Sequence, residues 1–161
     1  MFYEEVFRTL MDRGIRYAVA GGVALVLHGV VRLTADLDLI IELTSDNISR
    51  FIAVMNDLGY KPKQPVKAED LIKPENRKRW EEEKGMKVFS FFHPAGPMNL
   101  IDIFINEPVG FDEIEKEVVV FESRDIRIPV ISKRHLKMLK MESKRPQDIA
   151  DIAALDDLER I

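Results

Sequence analysis

Two aspartates set two residues apart inside an apolar run constrain this chain more than any other feature. The segment is Arg32-Leu-Thr-Ala-Asp36-Leu-Asp38-Leu-Ile-Ile-Glu42, in which Leu37, Leu39 and Ile41 alternate with Asp36, Asp38 and Ile40. A period of two predicts a strand over residues 32–42. On a strand both carboxylates leave the same face, with Cα atoms about 6.7 Å apart at a rise of ~3.3 Å per residue. The apolar neighbours imply that at least one side of the strand is buried, so two like charges are held together beside a core. A divalent cation relieves that repulsion, and hard oxygen ligands suit Mg²⁺. One shared carboxylate is also able to hold two metals ~3.5–4 Å apart, as in-line phosphoryl displacement requires. Taken alone, Asp-x-Asp is more often a solvated acidic face.

The surrounding pattern predicts an α/β (α+β) fold with a mixed central sheet, flanking helices and a C-terminal helical tail. Phe2, Val6, Leu10 and Met11 recur at helical spacing, and Gly14 follows them. Residues 16–20 read as a strand, Gly21-Gly22 breaks it, and residues 23–28 read as a short helix closed by Gly29. Thr44 or Ser45 caps a helix carrying Phe51, Ile52, Met55 and Leu58, which ends at Gly59. Residues 61–85 hold three prolines and many charges, and read as a loop with a helical turn or two around residues 74–84. Residues 88–92 and 100–105 are strand-like, joined through Pro94-Ala-Gly-Pro97 as a hairpin with a longer turn. Residues 118–121 and 126–131 form a second strand pair. Ser132 caps a helix through about residue 141. Pro146 opens a last amphipathic helix bearing Ile149, Ile152, Ala153 and Leu155. A single domain spanning 1–161 is expected, with a core at about 14–131 and the tail at about 132–161.

Composition narrows the class. At 161 residues the chain is long enough to bury a real core. With 46% hydrophobic and 32% charged residues it is an ordinary globular chain rather than a disordered one. No apolar run is long enough to span a bilayer, so no membrane partner is expected. The acidic, amphipathic start MFYEEVFRTL does not read as a signal peptide, and cytoplasmic location is the expectation. The absence of cysteine excludes disulfides and thiolate metal sites. A net charge of −4 lacks the basic field often found on nucleic-acid binders. The Lys- and Arg-rich stretch 61–87 is interrupted by Glu81, Glu82 and Glu83.

Two further features bear on the carboxylates. Gly21-Gly22 lies between a predicted strand and a predicted helix, where a glycine pair lets backbone approach a phosphate at a helix N-terminus. A plain strand-to-helix turn has the same sequence. GGVALV lacks the third glycine of a dinucleotide fingerprint, and no Gly-Lys-Ser/Thr follows it. Asp102 sits amid Leu100, Ile101, Ile103 and Phe104, and needs a partner or solvent if buried. If its strand lies beside residues 36–38, three carboxylates converge; otherwise Asp102 is an acid on an exposed strand face.

In order and spacing these pieces resemble the nucleotidyltransferase superfamily related to DNA polymerase β. The stretch GGVALVLHGVVRLTADLDLII carries most of the likeness. Arg32-x-Thr34-x-Asp36-h-Asp38 looks closest to the small bacterial branch that includes antibiotic nucleotidyltransferases and AbiEii-type toxins of toxin–antitoxin systems. LKMLKMESKRPQDIADIAAL is similar to that branch's helical tail, where a lysine, an arginine and Asp-x-x-Asp recur. The resemblance covers roughly residues 14–42 and 98–155.

The resemblance implies transfer of an NMP from an NTP to a hydroxyl acceptor, with Mg²⁺ as cofactor and pyrophosphate released. Asp36 and Asp38 would bind the metal. Asp102 would complete the site and take the acceptor's proton. Gly21 and Gly22 would hold the triphosphate, with Arg32 and Thr34 in the same motif, and Lys140 would contact phosphates, with Lys137 competing for that role. The acceptor is a small molecule, a tRNA or a protein. A toxin of this type has an antitoxin partner, and a non-catalytic nucleotide- or partner-binding scaffold is a third reading. On the residues alone, Arg32 binds phosphate or forms a surface ion pair, and Trp80 packs a charged helix rather than stacking on a base. His28, His93 and His135 lack partners at metal-ligand spacing. Arg145, Asp148 and Asp151 read as a charge network at a helix start.

Overall fold

The computed structural model describes residues 3–143 and 145–160. Its centre is a mixed sheet built from β1 (Tyr17–Ala20), β2 (Leu37–Ile41), β3 (Lys61–Pro62), β4 (Val88–His93), β5 (Gly96–Phe104), β6 (Val119–Ser123) and β7 (Ile126–Val130). The strand order is β3-β4-β5-β2-β1-β7-β6. The two middle strands are apolar on both faces: β1 is buried throughout, and Leu37, Leu39, Ile40 and Ile41 are buried in β2. They pair antiparallel, while β2 runs parallel to β5 and β1 runs parallel to β7. Central strands buried on both sides read as near-continuous apolar runs. An aspartate in such a strand therefore sits at the strand's end, where the ladder opens.

The helices are α1 (Glu4–Asp12), α2 (Gly21–Leu27), α3 (Ser45–Asp57), α4 (Pro74–Lys84), α5 (Phe111–Glu117), α6 (Lys133–Ser143) and α7 (Pro146–Glu159), with a 3-10 turn at Ala68–Ile72. Helix α1 buries Val6, Phe7 and Leu10. Phe2, expected on that face, lies outside the described residues. Thr44 caps α3 by accepting from the Asn47 N–H, and Ile48, Phe51, Ile52 and Met55 face the core. Ser132 Oγ accepts from His135 N at the start of α6, as expected of a cap.

Several segments differ from the sequence reading, which has no helix at Phe111–Glu117 and places Lys61–Pro62 and Ala68–Ile72 in a loop. The strand expected over 32–42 is confined to Leu37–Ile41. Its last partner in β1 is Ala20, opposite Asp38, because β1 turns into α2 at Gly21. Beyond that point Asp36 uses its side chain instead, Oδ1 accepting from Leu100 N at 2.9 Å. The charged stretch 74–84 is a full helix rather than a turn or two. Pro74 stands in its first turn and Gly85 closes it at φ +62°. The pattern was hidden because only Arg77 and Trp80, three residues apart, face inward. The β4–β5 hairpin is tight, with His93 opposite Gly96 and a register shift at Phe92/His93, so β5 starts four residues earlier than expected. Helix α7 turns Asp148, Asp151 and Leu155 inward, while Ile149, expected on the apolar face, is exposed.

Candidate active site

The C-terminal end of β1, the start of β2 and the stretch of β5 around Asp102 open into one cleft of about 940 Å³. Gly21, Gly22, Arg32, Thr34, Asp36, Asp38, Asp102 and Lys140 all line it. The register explains the carboxylates: Asp38 of β2 lies beside Asp102 of the parallel strand β5, and Ser90 of β4 lies beyond Asp102. Side chains directly opposite in neighbouring strands share a face and touch. Asp36, two residues earlier, joins them on the cleft side.

Crowding three carboxylates at the edge of a core has electrostatic consequences. Burial, then the charges of Asp102 and Asp36, push Asp38 up to about 7. Lys140 and the Gly22 backbone N–H pull in the opposite direction. Asp102 is raised too, chiefly by burial, with Ser90 opposing through a hydrogen bond and Asp36 adding to the rise. Its Oδ1 is buried without a hydrogen-bond partner. An orphaned carboxylate oxygen beside a second, partly desolvated carboxylate is the donor chemistry of a hard divalent cation. Among the described residues no three His, Asp or Glu side chains already surround a common point, because Asp36 is turned onto Leu100 N. Mg²⁺ does not need a closed protein cage, since one or two carboxylates plus phosphate oxygens and waters complete its octahedron. The residues present therefore fit Mg²⁺, with Asp38 and Asp102 nearest to readiness.

The glycine pair is built against the same carboxylate. Gly21 has φ +62°, and a Cβ there would overlap Asp38 Oδ2. A Cβ on Gly22 would lie 2.5 Å from Thr34 Oγ1. Glycine is required here by close approach as well as by backbone conformation. Thr34 thus packs over the start of α2 and holds the loop after Gly29 against the cleft.

Arg32 is an ion pair to Asp151 at 2.5 Å while still lining the cleft. Lys140 is buried, with Nζ 3.4 Å from Asp148 and 2.9 Å from Asp151. Lys137, its rival, is drawn off to Asp156 and Glu159 at 2.6 and 2.9 Å. Trp80 is buried beside Phe89, their rings 5.9 Å apart. His28 bonds the Ile131 carbonyl at 2.7 Å, His93 accepts from Ala95 N, and His135 is buried near Glu117.

Sequence reasoning passed over several neighbours of the site. Tyr3 donates its hydroxyl to the Ala35 carbonyl and stands 3.4 Å from the Leu100 carbonyl, bracing the two segments that carry Asp36 and Asp102. Ser90 carries the same signal as Asp102, a polar residue at an alternating position in an apolar strand, Val-Phe-Ser-Phe-Phe. Lys63 adds a positive charge near Asp102. Tyr3 offers no such signal, since an N-terminal tyrosine on an amphipathic helix looks like any core residue.

No family model and no curated protein matches the chain. Solved structures do. The lincosamide antibiotic adenylyltransferase LnuA, solved with lincomycin bound, is 18% identical at a TM-score of 0.60, over 96% of this chain and 94% of that one. ANT(2'')-Ia, in complex with adenylyl-2''-tobramycin, is 12% identical at a TM-score of 0.60, over 98% and 91%. A nucleotidyltransferase-like protein from Paracoccidioides brasiliensis is 17% identical at a TM-score of 0.56, over 96% and 73%. The chain has the nucleotidyltransferase fold, as its sequence resemblance implied. At these identities the likeness is one of fold, and the chemistry has to be argued from the site. Among the described residues, no helix is long and apolar enough to cross a membrane.

Proposed function

We propose that this chain is a Mg²⁺-dependent nucleotidyltransferase that moves an NMP from an NTP to a hydroxyl acceptor and releases pyrophosphate. The observation that carries the reading is the register of Asp38 beside Asp102, with Asp36, directly against Gly21-Gly22. Gly21 and Gly22 bring backbone to the triphosphate at the start of α2. Asp38 and Asp102, with Asp36 beside them, would hold Mg²⁺. Bound there, Mg²⁺ neutralises charge on the phosphate oxygens. Asp102 takes the proton from the acceptor hydroxyl. The acceptor oxygen bonds to the α-phosphorus, the bond from the α-phosphorus to the α–β bridging oxygen breaks, and pyrophosphate leaves.

The cleft extends past the carboxylates to Glu81, Lys87, Asn106 and Glu107, which seat the acceptor. Of a small molecule, a tRNA and a protein, the small molecule is proposed. The fold is shared with LnuA, solved with lincomycin, and with ANT(2'')-Ia, solved with an adenylylated tobramycin. Those neighbours also favour ATP as the donor. The test is calorimetric titration of the four NTPs with Mg²⁺ into wild type, Asp36→Ala and Asp38→Ala, followed by a transfer assay with radiolabelled NTP. Mg²⁺-dependent binding that the variants lose supports the reading. Wild-type levels of binding and transfer in Asp38→Ala would sink it, and binding without transfer to any acceptor class would favour a non-catalytic scaffold.

A further inference from the structure

The wall of the cleft made by α6 and α7 carries charges that the transfer chemistry leaves unused. Asp148 and Asp151 are three residues apart on α7, so they share a helix face, and they are only 1% and 3% exposed. Lys140 of α6 lies between them, 3.4 Å from Asp148 and 2.9 Å from Asp151. Each carboxylate also holds an arginine, Arg145 at 2.9 Å from Asp148 and Arg32 at 2.5 Å from Asp151. Ser143 Oγ donates to Asp148, and Gln147 Nε2 donates to Asp151 at 3.2 Å. The order along the wall is Arg32, Asp151, Lys140, Asp148, Arg145: three cations spaced by two anions.

Burying a carboxylate is costly unless it is paired and fully hydrogen-bonded, and here both are. Opposed by burial, these contacts still hold both aspartates below the ordinary carboxylate range. Three positive charges against two negative leave a net excess of one cation. A guanidinium has five donors and an ammonium three, so the row retains unused donors. Arg32, Lys140 and Arg145 line the cleft, and Lys140 and Arg145 lie within electrostatic reach of Asp38. A long flexible side chain fixed before the ligand arrives loses less freedom on binding.

We propose that Asp148 and Asp151 are positioning residues that set Arg32, Lys140 and Arg145 as a preorganised row for the β- and γ-phosphates of the nucleotide. The proposal rests on the nucleotidyltransferase reading and adds where the triphosphate runs: from the carboxylates of β2 and β5 to the wall of α6 and α7. The sign of one substitution separates positioning from bulk charge. Asp→Asn removes a negative charge beside an anion site, so Coulomb attraction alone predicts tighter binding. Loss of positioning predicts weaker binding.

The experiment titrates inorganic tripolyphosphate and Mg²⁺–ATP into the full chain: wild type, Asp148→Asn, Asp151→Asn, Arg32→Gln/Lys140→Gln and Arg32→Gln/Lys140→Gln/Asp151→Asn, with thermal melts for each. Binding of tripolyphosphate about tenfold weaker is expected for each Asn variant, the scale of a lost hydrogen bond to a charged group. In the Arg32→Gln/Lys140→Gln background, which lacks both cations that Asp151 holds, Asp151→Asn is expected to add little, because its function runs through those two side chains. If an Asn variant fails to fold, Asp151→Glu replaces it; net charge is kept, the carboxylate is displaced, and weaker binding is again expected. Equal or tighter binding by a folded variant overturns the proposal. So does a full loss from Asp151→Asn in the Arg32→Gln/Lys140→Gln background, which marks a role that runs through neither cation. A wild type that binds neither probe brings down the nucleotidyltransferase reading itself, whereas binding undiminished in the Asn variants brings down only this proposal.

Discussion

Gly21 and Asp38 are a matched pair: the carboxylate occupies the space that any side chain at residue 21 would fill. Gly21→Ala is therefore expected to displace Asp38 and to strain a backbone held at φ +62°. Titration with Mg²⁺–NTP should show at least tenfold weaker binding, while the melt reports a loss of about 1 kcal/mol. Wild-type binding by the alanine variant would show that the Asp38 position is not set by this contact. Asp38 also makes metal-free stability depend on pH. Its folded value is pushed up to about 7 from an ordinary 3.8, first by burial and then by Asp102 and Asp36. Between those values the folded chain binds the proton more tightly than the unfolded one. The contribution is thus complete below about pH 4 and lost as pH rises through 7. In EDTA the melting temperature of wild type should fall from about pH 5 to about pH 8, and Asp38→Asn should flatten that fall. Identical slopes in the two proteins would assign the effect elsewhere.

At the scale of elements, Asn47 joins three of them. From the first turn of α3 it accepts from Arg16 N and donates to the carbonyls of Arg16 and Glu42, each at 2.9 Å. These bonds clamp the approach to β1 to the end of β2. Asn47→Ala removes a hydrogen bond from three backbone groups, of which the Arg16 carbonyl keeps its bond from Glu42 N, and is expected to cost about 2–3 kcal/mol in denaturant unfolding. Thr44→Ala, which loses the cap bond at 3.3 Å and an exposed hydrogen bond to Glu42 at 3.1 Å, should cost about 1 kcal/mol. Equal costs would mean that Asn47 acts merely as part of the cap. Elements with local signals were legible: α3 has its cap, its apolar stripe and Gly59. Helix α4 was not, because a helix that packs by one tryptophan and one arginine stem shows no stripe. Helix α7 misled because its inward face carries two aspartates, and burial of paired charge has no hydropathy signal.

For the molecule as a whole, the site exists because the sheet brings distant segments together. Asp36 and Leu100, bonded side chain to backbone, are sixty-four residues apart in sequence. Ligand that binds only this assembly stabilises the folded state by mass action, by about 2.7 kcal/mol at one hundred times Kd. Mg²⁺–NTP should thus raise the melting temperature of wild type in proportion to the logarithm of its concentration, and should not move that of Asp38→Ala. An equal shift in both proteins would place the nucleotide outside this cleft.

The candidate site residues were readable from the chain because polar residues at alternating positions in apolar strands are a local signal. Asp36, Asp38 and Asp102 stand out on that ground, the glycine pair as a break between strand and helix, and their order and spacing joined them through the family resemblance. Which of them meet was not readable. Backbone hydrogen bonds are the same for any strand pair, so alternation tells which face Asp102 occupies and nothing about its neighbour. The pairing of β2 with β5 supplies that, and it comes from packing the whole sheet. The choice between Lys137 and Lys140 was open for a related reason. They lie three residues apart on one helix face, and the acids of α7 draw one to Glu159 and seat the other between Asp148 and Asp151. Local spacing names the groups, and the long-range register sets their distances, on which electrostatic and catalytic effects depend.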